Sequence, residues 1–555
     1  MADESSLSYI AFDPSWGYEE MPPVPEIPLF ELIRRSSAAY AGKTALVSLD
    51  CSISYGELEG YSDSLACALA GMGVKKGDRV ATMLPNCAQH VIAFHGIIKA
   101  GAAAVPCNVM MKGEELAYIL NDSGPETMIC LDALYPLIQM IIEKTSLKNI
   151  ITVHIKDFYQ EGSWVPPVLS LDKMTFPGVT DFMEALKDNS AGLPAPDISP
   201  REDLALILYT AGTTGFPKGV METHYNMVYN CLSHSHLMHL TDSDVNLQIM
   251  PMFHTSGYFL GLHPTLYQGG TVVMMPMFDP VVFLKTIDRY KVNTLFAPPT
   301  LFVALVNHPQ LSRYDLKHFR LATGCGAPVP IPLQKRWEEL TGVALTNGWG
   351  MTETNCGGIM SLPYKKNLDS MGVPVAGEVK ITGPEGATLP RGQVGEICFR
   401  GPQVAKGYWN KPEETALAFD PEGWLHTGDA GYIDGEGFIY FVERIKDLII
   451  ASGYNIAPTE VEAMLMKHPA VMETAVIGVP DQYRGETVKA FIALREEYRG
   501  KVTEEEIKAF CRENISTYKS PRIVEFMDEL PKSAVGKVLR RKLREMERER
   551  SAGNK

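Results

Sequence analysis

Short apolar runs alternate along the chain with segments whose apolar residues recur at helical spacing, the arrangement of parallel sheets covered by helices. Leu58 to Met72 reads as a helix and Arg79 to Met83 as the strand after it; Val281 to Arg289 and Thr294 to Ala297 repeat the unit. Leu204 to Tyr209 is a further apolar strand. The most apolar long stretch, about Val91 to Met111, is interrupted by His95, Lys99 and Pro106, so it reads as a buried helix and strand rather than a membrane span. Lys156 to Pro200 carries Pro166, Pro167, Pro177, Pro194, Pro196 and Pro200 with poor periodicity and is predicted to be surface insertion and connector. A second boundary falls near Arg444 to Asp447. Beyond it the pattern predicts a helix from Pro458, strands near Val471 to Val479 and Val488 to Leu494, and a helix opened by the capping box Thr503 to Glu506. The expected fold class is therefore α/β, with a large domain of helix-covered sheets over residues 1–445 and a small α+β domain over 446–555. No repeat of 20 to 50 residues is visible.

Composition narrows the class. The chain has 555 residues, 45% apolar and 21% charged, as in an ordinary globular enzyme. A net charge of −15 supplies no field that would draw it to nucleic acid or an anionic membrane surface. Ten scattered cysteines form no CxxC pair and no Cys/His cluster at zinc spacing, which points to reduced thiols and a cytoplasmic location. The acidic start Met1-Ala2-Asp3-Glu4 lacks the basic-then-apolar order of a signal peptide, and Gly553-Asn554-Lys555 is no peroxisomal address.

The strand ending at Tyr209 runs into Thr210-Ala211-Gly212-Thr213-Thr214-Gly215-Phe216-Pro217-Lys218-Gly219. Glycines that expose backbone N–H groups, two adjacent hydroxyls and the Lys218 charge make an anion site suited to a polyphosphate, with a flexible Gly/Thr turn as the plain alternative. It is no Walker A loop, because Lys218 precedes Gly219 and the next helix is expected at the Thr223 cap.

This loop resembles the signature of the adenylate-forming superfamily, which includes acyl-CoA synthetases, peptide-synthetase adenylation domains and luciferases. Four further segments match in the same order: Gly324 to Pro328, Gly348 to Glu353, Gly423 to Asp429 with Glu443 to Asp447, and Pro531 to Lys537. Weaker matches at Ser54 to Leu58 and Gly77 to Val80 extend the likeness from about residue 30 to 545. Ala211 departs from it, standing where the family more often has serine.

The resemblance implies roles for named residues. Thr210, Gly212, Thr213, Thr214, Gly215 and Lys218 would hold the ATP phosphates, and Glu353, a hard oxygen ligand, the Mg²⁺. Gly326, Ala327, Pro328, Trp349, Gly350 and Met351 would frame the nucleotide, with Asp429 and Arg444 on its ribose; a structural Asp–Arg pair is the alternative for the last two, and plain core for Trp349. Lys537, with Glu353 and Thr352, completes the implied catalytic set: a compact cation between the acid's carboxylate and the α-phosphate lowers the repulsion between two anions. Without the resemblance, Lys537 and the following Arg540, Arg541 and Arg544 read as a solvated helix start. Lys446 would be a hinge, and the turn Ser452-Gly453-Tyr454 would face coenzyme A.

Amino-acid-activating relatives usually carry an Asp after the phenylalanine of a Pro-x-Phe segment. Here Pro251-Met252-Phe253-His254 places a histidine there. The expected acid therefore lacks an α-ammonium group. Gly257, Tyr258, Gly261, Gly324, Cys325, Met351, Cys356 and Gly357 join His254 as candidate lining of an apolar pocket for a fatty or arylalkyl chain. The resemblance thus implies an AMP-forming acyl-CoA synthetase using ATP, Mg²⁺ and coenzyme A. Its alternatives are a ligase that loads a carrier protein, a luciferase-like oxygenase and a silent nucleotide-binding protein. Nucleic acid is not among the expected partners, and a homodimer is left open.

Overall fold

In the computed structural model the described residues are 8–11, 13, 21–187, 196–210, 217–362, 367–451, 454–481, 483–532 and 538–553. They form two compact units, one drawn mainly from Lys380–Cys398 and His426–Lys555, the other from Ile10–Val379 and Phe399–Leu425.

The larger unit holds two sheets. One runs in the order Lys218–Thr223, Leu204–Thr210, Ala103–Pro106, Arg79–Met83, Thr127–Leu131, Asn149–Val153 and Thr180–Asp181, and every pair is parallel except the first. Ala103–Pro106 and Thr127–Leu131 are buried throughout, as a sheet covered on both faces requires. The helix Ala88–Lys99 is buried along its whole length, and Lys99 there is paired with Glu59 at 2.9 Å and Asp63 at 2.8 Å. That accounts for the apolar stretch, and among the described residues no helix is long and apolar enough to cross a membrane.

The second sheet orders its strands Val373–Pro374, Ile359–Met360, Leu345–Trp349, Leu321–Gly324, Thr294–Ala297, Val245–Gln248, Thr271–Met274, Thr44–Ser48 and Cys51–Ser54. Its centre is parallel and its edges antiparallel. Behind it Trp337, on the helix Ile331–Thr341, packs edge-on against Phe302 and Phe319. Gly324 and Trp349 stand at the carboxyl ends of neighbouring parallel strands, the place where open α/β sheets take ligands.

Part of the proline-rich connector is built into this fold. Thr180–Asp181 adds an edge strand, and Asp181 caps the helix Phe182–Ala185, whose Phe182 is fully buried. Elements of two and four residues are too short to show a period.

In the smaller unit, Glu378–Thr382, Gly395–Arg400, Leu425–Ile433 and Ile439–Arg444 follow one another in a sheet edged by Tyr9–Ala11. The C-terminal part is organised around the long antiparallel pair Val471–Asp481 and Gly485–Leu494, joined by Ile449–Ala451, Tyr454–Ile456 and Ile523–Phe526. The helix Glu504–Asn514 opens on the expected box, Thr503 accepting from the Glu506 amide. Arg540, at the start of the helix Arg540–Gly553, is not solvated: it bridges Glu443 at 2.9 Å and Glu462 at 2.7 Å, while Arg544 meets Asp447 at 2.7 Å.

Candidate functional site

The glycine- and threonine-rich loop is mounted on a hairpin. Leu204–Thr210 pairs antiparallel with Lys218–Thr223, so Thr210 and Lys218 stand opposite each other at its mouth. Gly212, Thr213, Thr214 and Gly215 lie outside the described residues. The second arm ends at Thr223, which caps the helix His224–Leu237 with Asn226 closing the box.

Lys218 extends over the ring of Tyr408, its Nζ 4.9 Å from the centroid. The Tyr408 hydroxyl donates to Glu353 Oε1 at 2.8 Å. Burial, reinforced by the Glu353 carboxylate, pushes the Tyr408 phenol far above its ordinary value, so it remains a donor. Glu353 is buried on the short turn Thr352–Thr354, and its backbone oxygen accepts from the Ala405 amide at 2.9 Å. Asn355 ends that turn with φ +52°, a left-handed conformation that asparagine tolerates. Its side chain donates to Glu222 and, at 3.0 Å, to the Gln403 carbonyl. Burial raises the Glu222 carboxyl well above the usual carboxylate range, Glu353 adds to the rise, and Asn355 opposes it.

Tyr408, Glu222, Asn355 and Gln403 were not singled out from the sequence. The one signal in the sequence is Glu222, an acid that directly follows the apolar pair Val220 and Met221.

The flanking segments are tightly built. A side chain at Gly350 would come within 2.6 Å of the Cys356 carbonyl, and one at Gly324 within 2.1 Å of Val329. Gly326, at φ +80°, faces open space beside exposed Ala327 and Pro328. Met351 donates its amide to Thr354 Oγ1 at 3.0 Å, and Trp349 leans on Phe399 with centroids 6.4 Å apart.

His254 is exposed at the start of the helix Thr255–Phe259. Tyr258 is fully buried, stacked on His263 with Phe94 alongside. Gly257 backs onto the Pro251 carbonyl and Gly261 onto the Asn246 amide, each with no room for a side chain. Cys325 Sγ lies 3.9 Å from Met250 Sδ. Cys356 has φ +60°, and Gly357 abuts Asn230 and His234.

In the smaller unit Asp429 and Arg444 are direct cross-strand partners, Nε to Oδ1 3.5 Å. Asp429 is buried and its amide donates to Thr427 Oγ1 at 3.1 Å, while Arg444 is partly exposed. Glu396 supports this segment, one carboxylate oxygen accepting from the Gly428 amide at 2.9 Å and the other lying 3.0 Å from His426 Nδ1. Cys398 Sγ is 3.6 Å from the same nitrogen, so sheet register brings His426 of one strand to Glu396 and Cys398 of its neighbour.

Lys446 sits on the turn Ile445–Asp447. Desolvation, with Arg444 and Arg544, lowers its ammonium to about 8 against the opposing pull of Asp447. Tyr454 opens a strand paired to Ala451, whereas Ser452, Gly453 and Lys537 lie outside the described residues.

A model described as AMP-binding enzyme matches residues 33–409, and one described as AMP-binding enzyme C-terminal domain matches residues 460–537. The chain belongs to this family. A long-chain-fatty-acid–CoA ligase of Bacillus subtilis (strain 168) is 38% identical over 541 residues, 95% of this chain and 96% of the relative. A feruloyl-CoA synthase of Amycolatopsis sp is 34% identical over 496 residues, 89% of this chain and 93% of the relative. Among solved structures, an anthranilate CoA ligase in complex with anthranoyl-AMP superposes with a TM-score of 0.85 at 30% identity, covering 96% of this chain and 99% of that one.

Proposed function

We propose that this chain is an AMP-forming acyl-CoA synthetase acting on an apolar carboxylic acid without an α-ammonium group. The observation that carries the reading is the line from Lys218 through Tyr408 to the buried Glu353, set at the mouth of the Thr210–Lys218 hairpin in a chain of which 95% aligns with a CoA ligase. In the reaction a carboxylate oxygen of the acid attacks the α-phosphorus of ATP. The bond to pyrophosphate breaks, giving the acyl-adenylate. The coenzyme A thiol then attacks the acyl carbon and AMP leaves. Activation replaces a poor leaving group, hydroxide, by a good one.

Each part has a physical task. Lys218 offsets phosphate charge at the hairpin mouth. Glu353 would supply the hard carboxylate oxygen that suits Mg²⁺, which when bound neutralises charge on the polyphosphate. Asp429 is the acceptor for vicinal ribose hydroxyls, and Arg444 steadies it. Lys537 is assigned the contact between the two reacting anions on the strength of the Pro531 to Lys537 motif, and Lys446 the pivot on which a 446–555 domain turns between half-reactions.

His254, in place of an ammonium-binding carboxylate, supports a non-amino acid. The relatives named for long-chain fatty acids and for feruloyl-CoA support a fatty or arylalkyl acid. Ten scattered cysteines with no CxxC pair fit a reducing, cytoplasmic setting. A homodimer would appear at twice 61.3 kDa in light scattering.

Pyrophosphate release across a panel of fatty, aryl and amino acids, with and without coenzyme A, tests the reading. Added methylenes should each improve kcat/KM by about 1–3 kcal/mol until the pocket is full. Preference for free α-amino acids would overturn the substrate class, and turnover on a phosphopantetheinylated carrier but not on coenzyme A would favour the carrier-loading alternative.

A further inference from the structure

The strand Lys218–Thr223 carries more chemistry than its lysine. Alternate residues of a strand share a face, so Lys218, Val220 and Glu222 point the same way. Val220 is bridged antiparallel to Tyr408, which puts Tyr408 on that face. The Lys218 ammonium lies over the Tyr408 ring, and the Tyr408 hydroxyl reaches Glu353. Glu222 therefore ends a row that begins at the phosphate-facing lysine.

Glu222 is fully buried. One carboxyl oxygen accepts from Asn355 Nδ2, and the other has no hydrogen-bond partner among the described residues. An apolar side chain would fill this interior position without desolvating a carboxyl. What an apolar side chain cannot do is accept from Asn355. Asn355 is the residue on which the Glu353 turn depends: its amide closes the turn onto the Thr352 carbonyl at 3.0 Å, its own carbonyl accepts from Asn230 Nδ2, and its φ is +52°.

We infer that Glu222 is a positioning residue, acting through Asn355 to hold the Glu353 carboxylate at the cation and phosphate site. This rests on the reading of Glu353 as the cation ligand, and the two are separable.

The probe is Mn²⁺ with ATP, its binding followed by the loss of the free-Mn²⁺ electron paramagnetic resonance signal, alongside the KM for the acid. Glu222→Leu should weaken Mn²⁺·ATP binding about tenfold, the size of one lost buried hydrogen bond, and leave the acid's KM unchanged. Glu222→Gln keeps an acceptor oxygen and should stay within about twofold of the parent. Asn355→Gly, which tolerates the left-handed φ, should match Glu222→Leu, and the double variant should be no worse than the weaker-binding single. Parent-like Mn²⁺·ATP binding in Glu222→Leu, or additive losses in the double variant, would overturn the inference. If Glu222→Leu does not fold, the contrast between Asn355→Gly and Glu222→Gln decides in the same way. Glu353→Gln is measured beside them: no change there removes the cation reading itself, whereas a loss there with Glu222→Leu intact removes only the role of Glu222.

Discussion

Replacing Tyr408 by phenylalanine deletes one hydroxyl and leaves the ring that packs on Phe419 and lies under Lys218. The deleted group donates to Glu353 Oε1 at 2.8 Å in a buried setting. A hydrogen bond to a charged group contributes about 1.5–3 kcal/mol, which at about 1.4 kcal/mol per decade is a loss of roughly 10- to 150-fold. The loss belongs to the step in which phosphate charge shifts, so it should fall on adenylate formation and be largest at limiting Mg²⁺. Pyrophosphate release measured over a Mg²⁺ series reads the first step, and thioester formation from supplied acyl-adenylate reads the second. Tyr408→Phe should lower the first by that factor and leave the second near the parent rate. The ring keeps its packing, so the fold is retained, while the donor lost to the buried carboxylate should lower Tm modestly. A loss below about twofold at limiting Mg²⁺, or an equal loss in both steps, would refute the reasoning, because a retained ring with an idle hydroxyl costs less than one ordinary hydrogen bond.

Asp429→Ala should raise the KM for ATP while sparing that for the acid, since its carboxylate is assigned to the ribose; a selective rise in the acid's KM would count against the assignment. Gly350→Ala places a methyl 2.6 Å from the Cys356 carbonyl, and such overpacking costs about 1–3 kcal/mol, read as a lower urea midpoint together with lost adenylation. Burial lowers the Lys446 ammonium in the folded chain to about 8 from its ordinary 10.5, so the folded state binds fewer protons between those limits and its burial penalty fades as pH rises through them. Lys446→Gln should therefore raise Tm most below pH about 8, with the advantage shrinking toward pH about 10.5; a gain independent of pH would contradict the cause given for the shift. Lys537→Ala should abolish adenylate formation yet leave thioester formation from supplied acyl-adenylate largely intact, measured as two separate half-reactions.

Local pattern was enough for much of this protein. The strand Arg79–Met83 and the strand Thr294–Ala297 match their expected bounds, and the caps at Thr223 and Thr503 are where side-chain chemistry requires them. Such features depend on residues a few positions apart, whose hydrogen bonds and periodicity are written in consecutive letters. The ordered motifs likewise carried the family, because each needs particular residue types at fixed spacing.

Tertiary structure decided what lies between distant segments. Glu353 and Tyr408 are 55 residues apart and Glu222 and Asn355 are 133 apart, and nothing local to either partner specifies the other. Asp429 faces Arg444 through strand register, which one residue of slip would undo. The glycines show the same division: the sequence alone allows Gly257 and Gly326 the same freedom, yet one backs onto the Pro251 carbonyl and the other opens on space. Whether a missing side chain makes room for a ligand or for the protein's own backbone depends on what the rest of the chain brings there, and close packing is a property of the folded interior rather than of any stretch of letters.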